Sequence, residues 1–201
     1  MPTAFTETLP RPVPLDPPRK RWTRAECAAL EASGLFEQEH LELVEGELIS
    51  KMGKNRPHVN SLTLLLAWLM RTFGEQFVNP EAPIDVAPED NPTNEPEPDV
   101  IVLKRELSHF LSGKPRPEDL RLVVEIADSS LTFDLTTKAA LYARAGIVEY
   151  WVLDVARRRL LVHRDPKASG YASIVAYSEH ESVAPLTAPQ AEFRVADAFP
   201  E

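Results

Sequence analysis

A single cysteine, Cys27, stands in the 201 residues, which excludes an intrachain disulfide framework and any multi-cysteine zinc site. It lies among alanines in a predicted helix, reads as a small packed residue, and suits a reducing cytoplasm. Long apolar runs are lacking too. The longest, LTLLLAWLM (62–70), falls well short of the roughly 20 residues that span a bilayer, and being apolar almost all round it predicts a buried helix. No membrane association is expected. Residues 1–18 hold six prolines and no apolar core of signal-peptide type, so they read as a flexible or polyproline-like arm rather than a secretory leader. Neither G-x-x-x-x-G-K-[ST] nor G-x-G-x-x-G occurs, which removes the support for a phosphate-loop enzyme. A net positive charge is also missing. At −9 the chain is unsuited to coating nucleic acid. Short basic clusters at Arg19-Lys20-Arg21, Lys51/Lys54/Arg56 and Arg157-Arg158-Arg159 leave room for local contact, although each taken alone is what a solvated surface looks like.

The rest of the composition, 43% hydrophobic and 26% charged, is that of an ordinary globular protein. Residues 19–201 are enough for one domain with one core. Thr23 to Glu26 spells a capping box, T-x-x-E, ahead of a short helix stopped by Gly34. Glu45-Gly46 is a turn before a strand at 47–51, and 54–58 is a basic loop ending in Pro57-His58. The buried helix is expected from Asn60 to Phe73, with Gly74 as its stop. Strands are expected at Ala82–Val86 and Asp99–Leu103, with the proline-rich loop 87–98 between them. The segment 75–99 carries eight acidic residues and no Lys or Arg. After Asp154 the chain alternates like strands at Arg159–Arg164, Tyr171–Tyr177 and Glu192–Val195, with turn signals at Asp165-Pro166 and Ser169-Gly170. This tail predicts an antiparallel extension of the sheet.

The organising stretch is Arg121–Asp154. Leu120–Ala127 is an apolar run of strand length, Asp134 opens a helical pattern as its simplest N-cap, Gly146 stops it, and Val148–Leu153 is a second strand. A strand, a helix and a strand of these lengths imply a right-handed crossover joining a parallel pair. Two charges in this unit are out of place. Period-2 alternation puts Leu120, Leu122, Val124 and Ile126 on one face, and Arg121, Val123, Glu125 and Ala127 on the other. Both faces are apolar in the middle, as in a strand covered on both sides, so Glu125 is expected to be buried and to need a partner. On the helix, Leu135, Ala139, Leu141 and Tyr142 share an arc with Lys138 at its centre. Snorkelling or a structural Lys138–Glu125 pair accounts for either residue alone. Both charges together, with Asp99 at the mouth of the neighbouring strand, suggest a site. Two carboxylates at a sheet can hold Mg²⁺, which takes oxygen ligands and keeps several waters. A metal-bound water is a nucleophile for phosphodiester attack, and a nearby lysine orients it, deprotonates it or stabilises the transition state.

At these residues the sequence resembles the PD-(D/E)XK, restriction-endonuclease-like superfamily. Within that superfamily it is most similar to the bacterial putative restriction endonuclease family long catalogued as a domain of unknown function. The resemblance runs over about residues 22–199. It rests on LELVEGEL (41–48), His58, Pro98-Asp99-Val100, VVEIADSS (123–130), Asp134, Lys138, Tyr142, Gly146, Glu149-Tyr150-Trp151 and Asp154, in this order and spacing. It implies an α/β restriction-endonuclease-like core: a central mixed β-sheet flanked by helices, with a C-terminal antiparallel strand extension. Position 127, where the superfamily has the lysine of E-x-K, is Ala, and the resemblance implies that Lys138 of the following helix supplies it. It further implies metal ligation by Asp99, Glu125 and the backbone carbonyl of Ile126, with Glu42 as an additional acid matching one that the superfamily's first helix carries. His58 matches a family histidine that either braces a helix start or serves the site. Tyr142, Tyr150 and Trp151 read first as packing residues.

The expected function is a metal-dependent endonuclease (Mg²⁺, with Mn²⁺ as a substitute) that hydrolyses phosphodiester bonds in DNA. It would use Asp99, Glu125, Lys138 and Glu42, in the cytoplasm, as a homodimer. The alternative is a non-catalytic or regulatory nucleic-acid- or protein-binding domain that retains the nuclease fold.

Overall fold

The structure, a computed structural model, describes residues 19–36, 39–51 and 55–200. The expected proline-rich arm at 1–18 lies outside them, as does Lys54. Helix α1 (Arg24–Ala32) opens with the expected capping box, Thr23 accepting from the Glu26 N–H while Glu26 accepts from Thr23. Strands β1 (Leu41–Val44) and β2 (Glu47–Ser50) form a hairpin. Its turn residues Glu45 (φ 52°) and Gly46 (φ 74°) are both left-handed, as a tight two-residue turn compatible with strand twist requires. A Cβ on Gly46 would lie 2.8 Å from Arg21 Cβ, so this turn closes only with glycine there.

Helix α2 (Arg56–Phe73) starts four residues earlier than its apolar run suggests. Asn55 caps it by accepting from the His58 N–H, and Pro57 sits in the first turn, where its missing N–H costs nothing. The expected basic loop at 54–58 is therefore mostly helix, and His58 rides its first turn. Nor is α2 buried all round. Ser61, Leu65, Leu69 and Phe73 are buried, while Leu64 faces solvent, so the helix is a cover for one sheet face.

The main sheet has the order β3-β4-β5-β6-β7-β8. These strands are β3 (Val78–Pro80), β4 (Val100–Leu103), β5 (Leu120–Ala127), β6 (Glu149–Asp154), β7 (Arg159–Lys167) and β8 (Gly170–Ser178). Only β5 and β6 are parallel, joined by the crossover helix; every other pair is antiparallel. The expected strand at Ala82–Val86 is absent. Pro83 removes a ladder donor, and the segment is a loop held by Ile84 N–H to the Pro96 carbonyl and Asp85 N–H to the Pro115 carbonyl. The edge strand lies earlier, at Val78–Pro80.

Two apolar layers sandwich the sheet. One lies under α2 and includes Leu65, Leu69, Val100, Leu122, Val124, Ile126 and Trp151; the other lies under the crossover helix and includes Ile101, Val123, Ala127, Leu141, Tyr142 and Val152. The alternation expected along β5 holds from Leu122 onward but breaks before it. The register slips between Val102 and Leu103, where Leu103 pairs with Leu120. This bulge sends Leu120 to the crossover-helix layer and turns Arg121 over the rings of Phe73 and Phe77, at 5.9 and 5.3 Å.

The crossover helix runs continuously through Leu131–Phe133, a π-helical turn Asp134–Lys138 and Ala139–Arg144. It begins three residues before Asp134, so Asp134 is inside the helix and is not its N-cap. The Thr136 hydroxyl donates to the Thr132 carbonyl at 2.6 Å, a local competition for the backbone ladder that loosens the turn. At the C-terminus β7 and β8 extend the sheet as expected. Asp165-Pro166 lies within β7, and the chain turns at 168–169. Phe193–Arg194 (β10) pairs with Ser182–Val183 (β9) in a separate two-stranded ribbon.

Candidate active site

Strand β5 carries Glu125 on the face toward the crossover helix, and β4 runs antiparallel beside it with Val100 opposite Val124. Asp99, one residue before β4, therefore arrives next to Glu125. Its Oδ2 accepts from the Ile126 N–H at 2.8 Å, fixing the carboxylate against the strand that bears the second acid. The helix supplies Lys138. Its Nζ stands 2.8 Å from Glu125 Oε1 and 2.8 Å from Glu42 Oε1, and all three residues are at most 4% exposed. Glu42 comes from strand β1 of the hairpin, not from a helix as the superfamily comparison led us to expect. Its Oε2 accepts from the Glu97 N–H at 3.0 Å, tying the hairpin to the segment that leads into Asp99 and β4.

The π turn accounts for the alignment of the helix side chains. Each four-residue step in a regular α-helix drifts about 40°. The wider turn over 134–138 takes that drift back, so Asp134, Lys138 and Tyr142 are all buried on the sheet side. Tyr142 Oη donates to Glu125 Oε1 at 3.1 Å. It packs edge-on to Tyr150, whose hydroxyl donates to the Asp134 carbonyl at 3.1 Å. Tyr142 is thus a bracing residue for Glu125 as well as core.

Asp134 was legible only as a cap; the structure places it in the site. It is 2% exposed, its Oδ2 lies 2.5 Å from Ser130 Oγ, and it lines the same cavity as Glu125 and Lys138. The i, i+4, i+8 recurrence of Asp134, Lys138 and Tyr142 was the available signal. His58 Nε2 stands 3.6 Å from Asp99 Oδ1, beyond hydrogen-bond reach, and is buried without a hydrogen-bond partner among the described residues.

Burial and the excess of carboxylates set the electrostatics. Desolvation pushes Glu125 up to about 8 against the pull of Lys138, and Asp134 up to about 6. Burial also opposes ionisation of Asp99, but His58, Lys51 and the Ile126 N–H outweigh it and hold the carboxyl well below the usual range. Burial alone would lower Lys138; the facing carboxylates Glu125, Glu42 and Asp134 overcome it and hold the ammonium above its ordinary value. The result is a protonated lysine beside one firmly ionised acid and two that share their negative charge reluctantly.

These groups bound a cavity of about 130 Å³ that also takes in Ile126, Asp128 and Ser130. Among the described residues no three His, Cys, Asp or Glu side chains converge closely enough to cage a metal. The carboxylates of Asp99 and Glu125 with the Ile126 carbonyl are a sparse, hard-oxygen set. That suits Mg²⁺, which is held by one or two carboxylates and completes its shell with water. A larger cavity, about 650 Å³, lies between α1 and the hairpin. Its cationic side chains are paired: Arg24 with Asp85 at 2.6 Å and Lys114 with Glu95 at 2.5 Å.

The remaining motif residues are structural. Glu149 Oε1 accepts from Arg164 at 2.6 Å and from Trp151 Nε1 at 3.0 Å. Asp154 holds the turn through Arg159 at 2.8 Å, and Arg158 pairs with Glu179, so the 157–159 cluster is largely engaged within the fold.

An acid before one strand, an acid inside the next with a lysine packed against it, and one cavity shared by all three on a mixed sheet make this a nuclease-like fold of the restriction-endonuclease type. The chain belongs to the Uma2 putative restriction endonuclease family, whose model matches residues 25–196. Among solved structures it is similar to a putative nuclease of the DUF820 group from Anabaena variabilis. The TM-score is 0.63 at 15% identity, over 81% of this chain and 90% of that one, a likeness of fold. No curated protein matches the chain. No helix among the described residues is long and apolar enough to cross a membrane.

Proposed function

We propose that the protein is a Mg²⁺-dependent endonuclease cutting DNA phosphodiester bonds at the cavity between Asp99, Glu125 and Lys138. The observation that carries this is the position of Lys138 Nζ, 2.8 Å from acids of two different elements and buried beside a third. Asp99, Glu125 and the Ile126 carbonyl would hold the ion. When bound, it lowers the pKa of a coordinated water and neutralises charge on the phosphate oxygens. Lys138 is held protonated by the acids around it, so it acts as a fixed cation that orients the water and stabilises the developing charge rather than as the base. Glu42 and Asp134 keep that ammonium in place, and Tyr142 fixes Glu125 from below. Asp99 stays ionised across the physiological range and gives the cation a permanent anchor. The substrate is reached in the cytoplasm, and a homodimer presents two such sites to one duplex.

One observation favours a second reading, a binding or regulatory domain that keeps the fold without turnover. Glu125 Oε1 already accepts from both Lys138 and Tyr142, which leaves only Oε2 for a metal and makes the acid–lysine cluster self-sufficient as a structural element. Calorimetric titration with Mg²⁺ or Mn²⁺, paired with a supercoiled-plasmid nicking assay, separates the two. The nuclease reading expects metal binding lost in Asp99→Ala and nicking lost in Lys138→Ala with the fold intact. Metal binding with no cleavage of any DNA form would leave the second reading standing.

A further inference from the structure

Strand β8 ends the main sheet on one side, and no strand lies beyond it among the described residues. Its nine residues, Gly170–Ser178, contain no charged side chain and no proline. Ile174 is 56% and Val175 45% exposed, and they belong to opposite faces of the sheet. The other edge is built differently: β3 has three residues and ends in Pro80. Shortness, proline and charge are how natural sheets keep an edge from pairing with another chain. One edge of this sheet is guarded in that way, and the other presents a long, neutral row of backbone donors and acceptors.

What would pair there is written in the strand. Tyr171-Ala172-Ser173-Ile174-Val175-Ala176-Tyr177 reads nearly the same in both directions about Ile174. A two-fold antiparallel pairing centred on Ile174 sets Tyr171 against Tyr177 of a second copy, Ala172 against Ala176, Ser173 against Val175, and Ile174 against itself. At the centre Ile174 meets its like, a β-branched pair that favours cross-strand pairing, while Tyr171 and Tyr177 stay packed in the two opposite layers of their own sheet. The small alanines on either side of Ile174 leave room for the facing isoleucine.

We propose that β8 pairs antiparallel with β8 of a second copy of this chain about a two-fold axis at Ile174, joining the two six-stranded sheets into one continuous sheet. Nothing in this depends on the acid–lysine site, so the test of the interface and the test of the nuclease reading fail separately. Because each copy carries −9 charges while the pairing strand carries none, added salt should tighten the dimer by screening long-range repulsion.

The test is sedimentation of the full chain over roughly 1 to 100 μM, a range that brackets micromolar dissociation constants. We expect a species of twice the 22.5 kDa chain mass that grows with concentration. Ile174→Lys opposes two ammonium groups at the axis and should weaken the dimer by about a hundredfold or more. The site is exposed, so the variant should unfold at the wild-type temperature. A second measurement uses a Cys27→Ser background. Paired Cα atoms across an antiparallel ladder lie about 4.5–5.5 Å apart, within disulfide range. Ile174→Cys should therefore crosslink to itself under an added oxidant, while Tyr171→Cys, which faces Tyr177, should not. A chain that stays monomeric throughout, a dimer undiminished by Ile174→Lys, or Tyr171→Cys crosslinking as readily as Ile174→Cys would each overturn the proposal.

Discussion

Replacing Lys138 with methionine tests the site most directly, because the side chain keeps its length and loses only its charge. In the folded protein Lys138 Nζ lies 2.8 Å from both Glu42 and Glu125, and removing it leaves two buried carboxylates facing one another. Deleting one partner of a buried ion pair costs about 3–5 kcal/mol. The low end, about 3 kcal/mol, is expected at neutral pH, because Glu125 is already pushed up to about 8 and takes up a proton instead of remaining charged. The sign of the pH dependence follows. An acid with a raised folded-state pKa binds more protons folded than unfolded, so its contribution is fully present below the unfolded value and lost as pH rises through the folded one. Without the ammonium Glu125 moves further up, and the variant's deficit should grow with pH by up to about 1.4 kcal/mol per unit. Guanidinium unfolding at pH 5.5 and 8.5 measures this, and plasmid nicking with Mg²⁺ measures the chemical consequence. Loss of a preorganised charge at the reacting phosphate is expected to slow cleavage by about 10²–10³-fold. A variant whose deficit is the same or smaller at pH 8.5, or which nicks DNA at the wild-type rate, would refute the account of Lys138 as a fixed cation between acids.

Other consequences are as open to measurement. Asp99→Asn keeps the acceptor for the Ile126 N–H but removes the charge that His58, Lys51 and that N–H favour, so calorimetry should show metal affinity falling at least about tenfold and the fold should lose about 1.5–3 kcal/mol; unaltered affinity would remove Asp99 from the metal set. In metal-free buffer, wild-type stability should decline as pH rises from the ordinary carboxylate range through about 6 and on to about 8, following Asp134 and Glu125; a flat profile in denaturant melts would contradict their raised values. Tyr142→Phe deletes the 3.1 Å bond to Glu125 Oε1 and should cost about 1 kcal/mol, with nicking slowed but not abolished. Gly46→Ala forces a Cβ to within 2.8 Å of Arg21 Cβ at φ 74° and should destabilise the chain by about 1–3 kcal/mol, seen as a lower melting temperature.

The crossover unit shows how far local sequence reaches. Leu120–Ala127 reads as a strand because eight apolar-rich residues of strand length can do little else, and the helix and strand after it follow from period and punctuation. Glu125 and Lys138 are conspicuous there because each breaks an apolar pattern at a position whose facing is set within a few residues. The failures have a common cause. Proline inside an apolar run hid the loop at 82–86, and a bulge between Val102 and Leu103 moved Leu120 and Arg121 to faces that simple alternation denies them. Asp134 passed for a cap because a π turn is invisible to a 3.6-residue period.

By itself, then, the sequence determined which residues form the crossover unit, that Glu125 and Lys138 stand on its facing surfaces, and that Asp99 stands at the mouth of a strand. Propensity, periodicity and capping act over a handful of neighbours and need no knowledge of the rest of the chain. Only the tertiary structure decided that Glu42 reaches Lys138 from a hairpin strand, that His58 and Asp134 border the same cavity, and that the uncharged β8 lies at an open edge. Those facts depend on strand order and register, which are settled by long-range packing of two apolar layers on one sheet, and no local pattern encodes them.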